Sequence, residues 1–162
     1  MNQAEWSFHA DDERQTECLG SVIAGVLGPG SVVTLLGELG TGKTRLVRAI
    51  AAELEVDPET VASPTFVLIR EYSGRLPVFH FDAYRLADTD EFLEIGADEF
   101  LYGSGVCLIE WADRVSAVLP ADVLEIRITA TGTCSRMFAL CGTGARSRQL
   151  LEVIKQTLSP RG

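Results

Sequence analysis

Gly37-Glu38-Leu39-Gly40-Thr41-Gly42-Lys43-Thr44 is the stretch on which the fold turns. It fills every fixed position of G-x-x-x-x-G-K-[ST], a loop whose glycines let successive main-chain amides face one bound anion. The apolar, β-branched run from Ser31 to Leu36 precedes it, and a helical pattern through Leu46, Val47, Ile50 and Leu54 follows. Strand, glycine loop and helix in that order are what the motif requires, because the positive end of the helix then points at the same anion. On this reading Gly37, Gly40, Thr41, Gly42, Lys43, Thr44 and Arg45 form a nucleotide-binding cradle. Lys43 reaches the β and γ phosphates, Thr44 sets its hydroxyl on Mg²⁺, and the Arg45 amide lies in the first helical turn.

Magnesium takes oxygen ligands, so the cradle needs a carboxylate at the end of a neighbouring strand. Two apolar runs end in an acid: Val106-Cys107-Leu108-Ile109-Glu110 and Val78-Phe79-His80-Phe81-Asp82. Glu110 is expected on the metal, directly or through water, and Asp82 to orient an attacking water. Either acid alone also reads as a solvated strand end. Thr65, within Ser63-Pro64-Thr65, is expected to sense the γ phosphate as a switch segment does, against the plainer reading of a turn. Trp111 follows Glu110 directly and reads as a lid or partner contact, or simply as core. Lys43, Thr65, Asp82, Glu110 and Trp111 are thus the expected catalytic group, and Thr44 and Glu110 the expected metal ligands.

Further out, helix and strand signals alternate. Asp12 is placed to cap a first helix with Gln15 three residues on, ahead of Leu19, Val22, Ile23, Val26 and Leu27 at the spacing of one buried face. Gly28-Pro29-Gly30 ends it. Phe66 to Tyr72 and Pro77 to Asp82 read as a hairpin, and Asp90 to Leu101 as helical apart from Gly96. Val123 to Ala130 and Arg136 to Cys141 suggest a second hairpin, and Ser147 to Leu158 a closing helix. The sum is an α/β chain with a P-loop NTPase-like three-layer fold and a mixed, parallel plus antiparallel, sheet. At 162 residues, with 46% hydrophobic and 23% charged residues, one domain over 1–162 is expected, and the composition argues against disorder.

Fourteen basic and 23 acidic residues give a net charge of −9. Nucleic acid is met by a cationic face, so any RNA is expected to be held by a partner and not by this chain. Cys18, Cys107, Cys134 and Cys141 form no C-x-x-C pair and lack histidines at metal-ligand spacing, which reads as small core hydrophobes and not a zinc site. The amino terminus carries no apolar signal segment, and no run approaches the roughly 20 apolar residues that span a bilayer. A cytoplasmic protein without membrane contact is the expectation.

A GTPase reads guanine with an Asn-Lys-x-Asp type loop, and the only asparagine here is Asn2. ATP is therefore the expected nucleotide. A small-molecule kinase of the P-loop class uses the same cradle but brings an arginine-rich lid, whereas the arginines here are dispersed. It stands as the alternative, beside a nucleotide-dependent binding module in which hydrolysis is incidental.

Five segments taken together are more selective: GELGTGKT (37–44), SPTF (63–66), HFDAYRL (80–86), EIGADEF (94–100) and LIEWADR (108–114). Their order and spacing resemble the TsaE (YjeE) family, P-loop ATPases of bacterial tRNA threonylcarbamoyladenosine synthesis. The resemblance implies a Mg-dependent ATPase, weak alone and dependent on the TsaD and TsaB proteins, supporting threonylcarbamoyl modification of the tRNA adenosine next to the anticodon. By matching motif position it assigns Lys43 and Thr44 to phosphate and metal, Glu110 to the metal site, and Asp82 and Trp111 to the active region. Glu13, within DERQT, falls near the adenine side, and Arg136 matches a late family arginine only loosely. Arg45 and Ala83 depart from the residues usual at their positions, and neither change removes a functional group.

Overall fold

The computed structural model describes residues 4–38, 40–61, 69–84, 86 and 89–159. At its centre is a seven-stranded mixed sheet. In chain order the strands are β1 (Ala4–Ala10), β2 (Val32–Leu36), β3 (Ile69–Tyr72), β4 (Val78–Asp82), β5 (Val106–Glu110), β6 (Leu124–Ala130) and β7 (Arg136–Gly142). The helices are α1 (Glu13–Val26), α2 (Lys43–Glu53), α3 (Thr89–Glu94), α4 (Ala97–Leu101) and α5 (Ala145–Leu158). The spatial order is β1-β7-β6-β2-β5-β4-β3. β2 runs parallel to both β5 and β6, β4 runs parallel to β5, and the two hairpins β3–β4 and β6–β7 are antiparallel. This is the mixed sheet the sequence suggested.

Strand alternation divides the core into two. Val33, Leu35, Val106 and Leu108 face α1, α2 and α5, where Leu19, Ile23, Leu46, Ile50 and Ile154 complete one cluster. Val32, Leu36, Cys107 and Ile109 face the other way, against Phe92, Leu101 and Val115. The central strands are buried on both faces and so read as continuous apolar runs. Because β2 ends at the loop and β4 and β5 end beside it, the parallel centre brings Asp82, Glu110 and the amino end of α2 to one edge of the sheet.

Several local expectations are refined. β1, absent from the sequence reading, pairs along its length with β7. Asp12 caps α1 by accepting the Gln15 amide, but the Gln15 side chain accepts from the Asp11 amide, one residue earlier than a capping box would place it. The 90–101 helix is two short helices, α3 and α4, divided at Gly96, whose φ of 83° breaks the helical path. α5 starts at Ala145, where Asp122 accepts the Arg146 and Ser147 amides. The cysteine expectation holds only for the buried Cys107; Cys18 and Cys134 are exposed and Cys141 is half-buried. Among the described residues no group of three or more histidines, cysteines and carboxylates is gathered as a metal cluster, and no helix is long and apolar enough to cross a membrane.

Candidate functional site

Three glycines give the loop its path. Gly37, Gly40 and Gly42 have φ of 150°, 78° and 100°, values that residues with a Cβ rarely adopt. At Gly37 the space is closed as well, since a Cβ would lie 2.6 Å from the Ile128 carbonyl oxygen. Gly42 is the N-cap of α2 and has no side chain to accept the first-turn amides, and that turn carries no acid. The amides and the positive end of the helix dipole are therefore left for an anion.

Lys43 is 5% exposed. Its Nζ donates to the Gly37 carbonyl at 2.7 Å and to the Glu38 carbonyl at 2.9 Å, and lies 4.0 Å from the centre of the Trp111 ring. Burial pulls this ammonium below its ordinary value, opposed by the negative charges of Glu110, Asp82 and Asp113. The adjacent Thr44 donates its hydroxyl between the two carboxylate oxygens of Glu110, at 3.2 and 3.1 Å. The contact joins the start of α2 to the end of β5.

Asp82 is directly in register with Glu110 across β4 and β5. Burial raises its carboxyl above the ordinary value, and Glu110 adds to the rise, while the Tyr84 amide at 2.9 Å, His80 and Lys43 oppose it. Two carboxylates at adjacent strand ends, with a threonine hydroxyl between one of them and the loop, form a hard-oxygen donor set. That chemistry fits Mg²⁺, which binds through one or two carboxylates and keeps several waters. The uncapped helix end and the buried lysine likewise fit a phosphate chain.

Trp111 closes the site on the β5 side. Its backbone is left-handed at φ 59°, a conformation uncommon for a bulky residue, and its amide donates to the Leu35 carbonyl at 3.0 Å. The Tyr84 ring lies 4.9 Å away, and the Arg114 guanidinium sits over Tyr84. Across the loop, Glu13 and Arg45 pair at 3.1 Å and line a narrow cleft with Thr41, Gly42, Cys134 and Arg136. The structure thus brings Glu13, Gly37, Gly40, Thr41, Gly42, Lys43, Thr44, Arg45, Asp82, Glu110 and Trp111 to one edge of the sheet. Thr65 and Arg85 lie outside the described residues.

Two residues that the sequence reading left unassigned belong to this region. Arg136 reaches from β7 to donate Nε to the Thr41 carbonyl at 2.8 Å, while its Nη1 donates to the carbonyls of Gly132, Thr133 and Ser135. It ties the β6–β7 turn to the loop. His80 is fully buried, with Nε2 2.5 Å from Glu110 Oε2 and Nδ1 3.5 Å from the Tyr72 hydroxyl. Its signal was the two-residue step to Asp82, which puts both on one face of β4.

A glycine loop between a strand and a helix, set against acids at the ends of parallel neighbouring strands, places the chain in the P-loop class of α/β proteins. The comparisons narrow this. Residues 10–138 match the family described as "Threonylcarbamoyl adenosine biosynthesis protein TsaE", and the chain belongs to that family. It is 45% identical over 115 residues to the Treponema pallidum tRNA threonylcarbamoyladenosine biosynthesis protein TsaE, covering 70% of this chain and 84% of that one. It is 37% identical over 157 residues to the Bacillus subtilis protein of the same name, covering 96% of each. The crystal structure of Bacillus subtilis YdiB superposes with a TM-score of 0.82 at 30% identity, covering 98% of this chain and 99% of that one.

Proposed function

We propose that this protein is the ATPase subunit of tRNA threonylcarbamoyladenosine synthesis, hydrolysing ATP to ADP and phosphate while the modification is made on the adenosine next to the anticodon. The single observation that carries the ATPase reading is the meeting of Lys43, Thr44 and Glu110 at the end of β5. The names of its relatives supply the pathway.

In this reading the amides of Gly37, Gly40, Thr41, Gly42, Lys43, Thr44 and Arg45 wrap the phosphates. Lys43 leaves the carbonyls of Gly37 and Glu38 to meet the β and γ phosphates. The Thr44 hydroxyl and Glu110, directly or through water, would hold magnesium, which would supply charge neutralisation on the phosphate oxygens. Asp82 orients the attacking water, and burial, which raises its carboxyl above the ordinary value, makes it the stronger proton acceptor. Glu13 and Arg45 border the adenine side, Trp111 covers the lysine, and Thr65 is assigned to the γ-phosphate switch. The sequence places no obvious arginine finger, so hydrolysis by the isolated chain is slow, and a partner completing such a site raises the rate by about 10³ to 10⁵-fold.

The partners are the TsaD and TsaB proteins, and tRNA is held by them, in keeping with the net charge of −9. The work takes place in the cytoplasm as one domain over the 162 residues. The test is depletion in the source cell followed by nucleoside mass spectrometry of bulk tRNA. Threonylcarbamoyladenosine falls on depletion, returns with the wild-type gene and does not return with Lys43→Ala. Unchanged levels on depletion contradict the proposal.

A further inference from the structure

We infer that His80 is a positioning residue for Glu110, committing one carboxylate oxygen so that the other is left for the metal; this rests on the ATPase reading above. Glu110 is 3% exposed, at the end of β5. A carboxylate this deep loses hydration that its neighbours must replace. The Thr44 hydroxyl offers a single proton, placed almost equally between Oε1 at 3.2 Å and Oε2 at 3.1 Å, and so does not choose between them. His80 does choose, since Nε2 lies 2.5 Å from Oε2.

The imidazole is itself held from behind. His80 is fully buried on β4, in register with Leu108 of β5, and its Nδ1 faces the Tyr72 hydroxyl of β3 at 3.5 Å. Nε2 is the nitrogen that faces Glu110 and Nδ1 the one that faces Tyr72, so the ring bridges the two side chains. The chain Tyr72–His80–Glu110–Thr44 therefore runs through three adjacent strands to the first turn of α2. Both ring nitrogens face polar partners, which fixes the plane and reach of the imidazole behind Glu110. The HxD step then has two functions on one face of β4: Asp82 toward the reacting phosphate, and His80 two residues earlier behind the metal carboxylate.

The test measures ATP binding by calorimetry in EDTA and in MgCl₂, with far-UV circular dichroism and melting to establish folding. For His80→Phe, which keeps the ring and removes the donor, ATP affinity in EDTA is unchanged while the Mg²⁺ concentration needed for enhanced binding rises about 10 to 100-fold. His80→Gln, whose amide can donate from nearly the same place, recovers most of the response. In a Glu110→Ala background the His80→Phe change has no further effect. A wild-type Mg²⁺ response in His80→Phe overturns the inference, as do equal losses in His80→Phe and His80→Gln or an added loss on top of Glu110→Ala. If His80→Phe does not fold, His80→Asn, too short to reach Oε2, carries the same expectation. Failure of the wild-type protein to bind ATP at all overturns the ATPase reading itself, an outcome distinct from a wild type that responds to Mg²⁺ and a His80→Phe that responds equally.

Discussion

Lys43 and Trp111 stack, with the ammonium 4.0 Å from the centre of the indole ring and both residues at the edge where β2 and β5 end. The lysine is thereby held against the loop carbonyls by a residue that directly follows β5. A cation over an indole contributes about 0.5 to 2 kcal/mol depending on how far it is desolvated. In a double-mutant cycle of Lys43→Met and Trp111→Leu, urea unfolding of the nucleotide-free protein gives a coupling energy in that range. Additive effects would show that the stack carries no energy.

Asp82 gives a pH dependence of fixed sign. Burial, with Glu110, raises its carboxyl in the folded chain above the ordinary 3.8. Between the unfolded and the raised folded value the folded state holds more protons, so this group's contribution to stability falls as pH rises through that window. Asp82→Asn keeps an oxygen for the Tyr84 amide and removes the buried charge. The expected outcome is a higher melting temperature than wild type at neutral pH without nucleotide, the gap closing as pH falls toward 3.8, together with loss of hydrolysis. A lower melting temperature at neutral pH would contradict this.

Arg136 ties the β6–β7 turn to the loop through the Thr41 carbonyl. Charge-assisted hydrogen bonds contribute about 1.5 to 3 kcal/mol, and lysine cannot reproduce the planar fork. Arg136→Ala and Arg136→Lys are both expected to weaken ATP binding, measured by calorimetry, with a stability loss in that range for Arg136→Ala. Wild-type affinity in both variants would show that the loop holds its shape without this tie.

The cysteines separate by exposure. The Cys107 thiol is buried and pushed up to about 12, while burial raises Cys141 less and Cys18 and Cys134 are exposed. The thiolate is the reactive form, so a disulfide reagent at neutral pH modifies Cys18 and Cys134 first, Cys141 more slowly and Cys107 only on unfolding. Peptide mapping of the labelled protein reads the order. Early labelling of Cys107 would contradict the buried position of β5.

What the sequence made legible was local. The loop, its flanking strand and helix, and the acids closing two apolar runs could be read because each depends on spacing within a few residues. The pairing of Asp82 with Glu110, the Glu110–His80 contact and the reach of Arg136 to Thr41 depend on strand order, which no local pattern encodes. β1 was present as a pattern, with Trp6, Phe8 and Ala10 alternating with Glu5, Ser7 and His9, but its partner β7 lies at the far end of the chain. Cys18 and Cys134 were misplaced because composition favours buried cysteines while position on a helix or turn decides each one.

The central claim is that the 37–44 loop grips a nucleotide with Lys43 and a metal held by Thr44 and Glu110. Calorimetric titration of ATP into the folded protein in MgCl₂ tests it most directly. The account predicts saturable one-to-one binding that weakens in EDTA and is lost or greatly reduced in Lys43→Ala. No heat of binding in wild-type protein with Mg²⁺, or equal binding by Lys43→Ala, would contradict it.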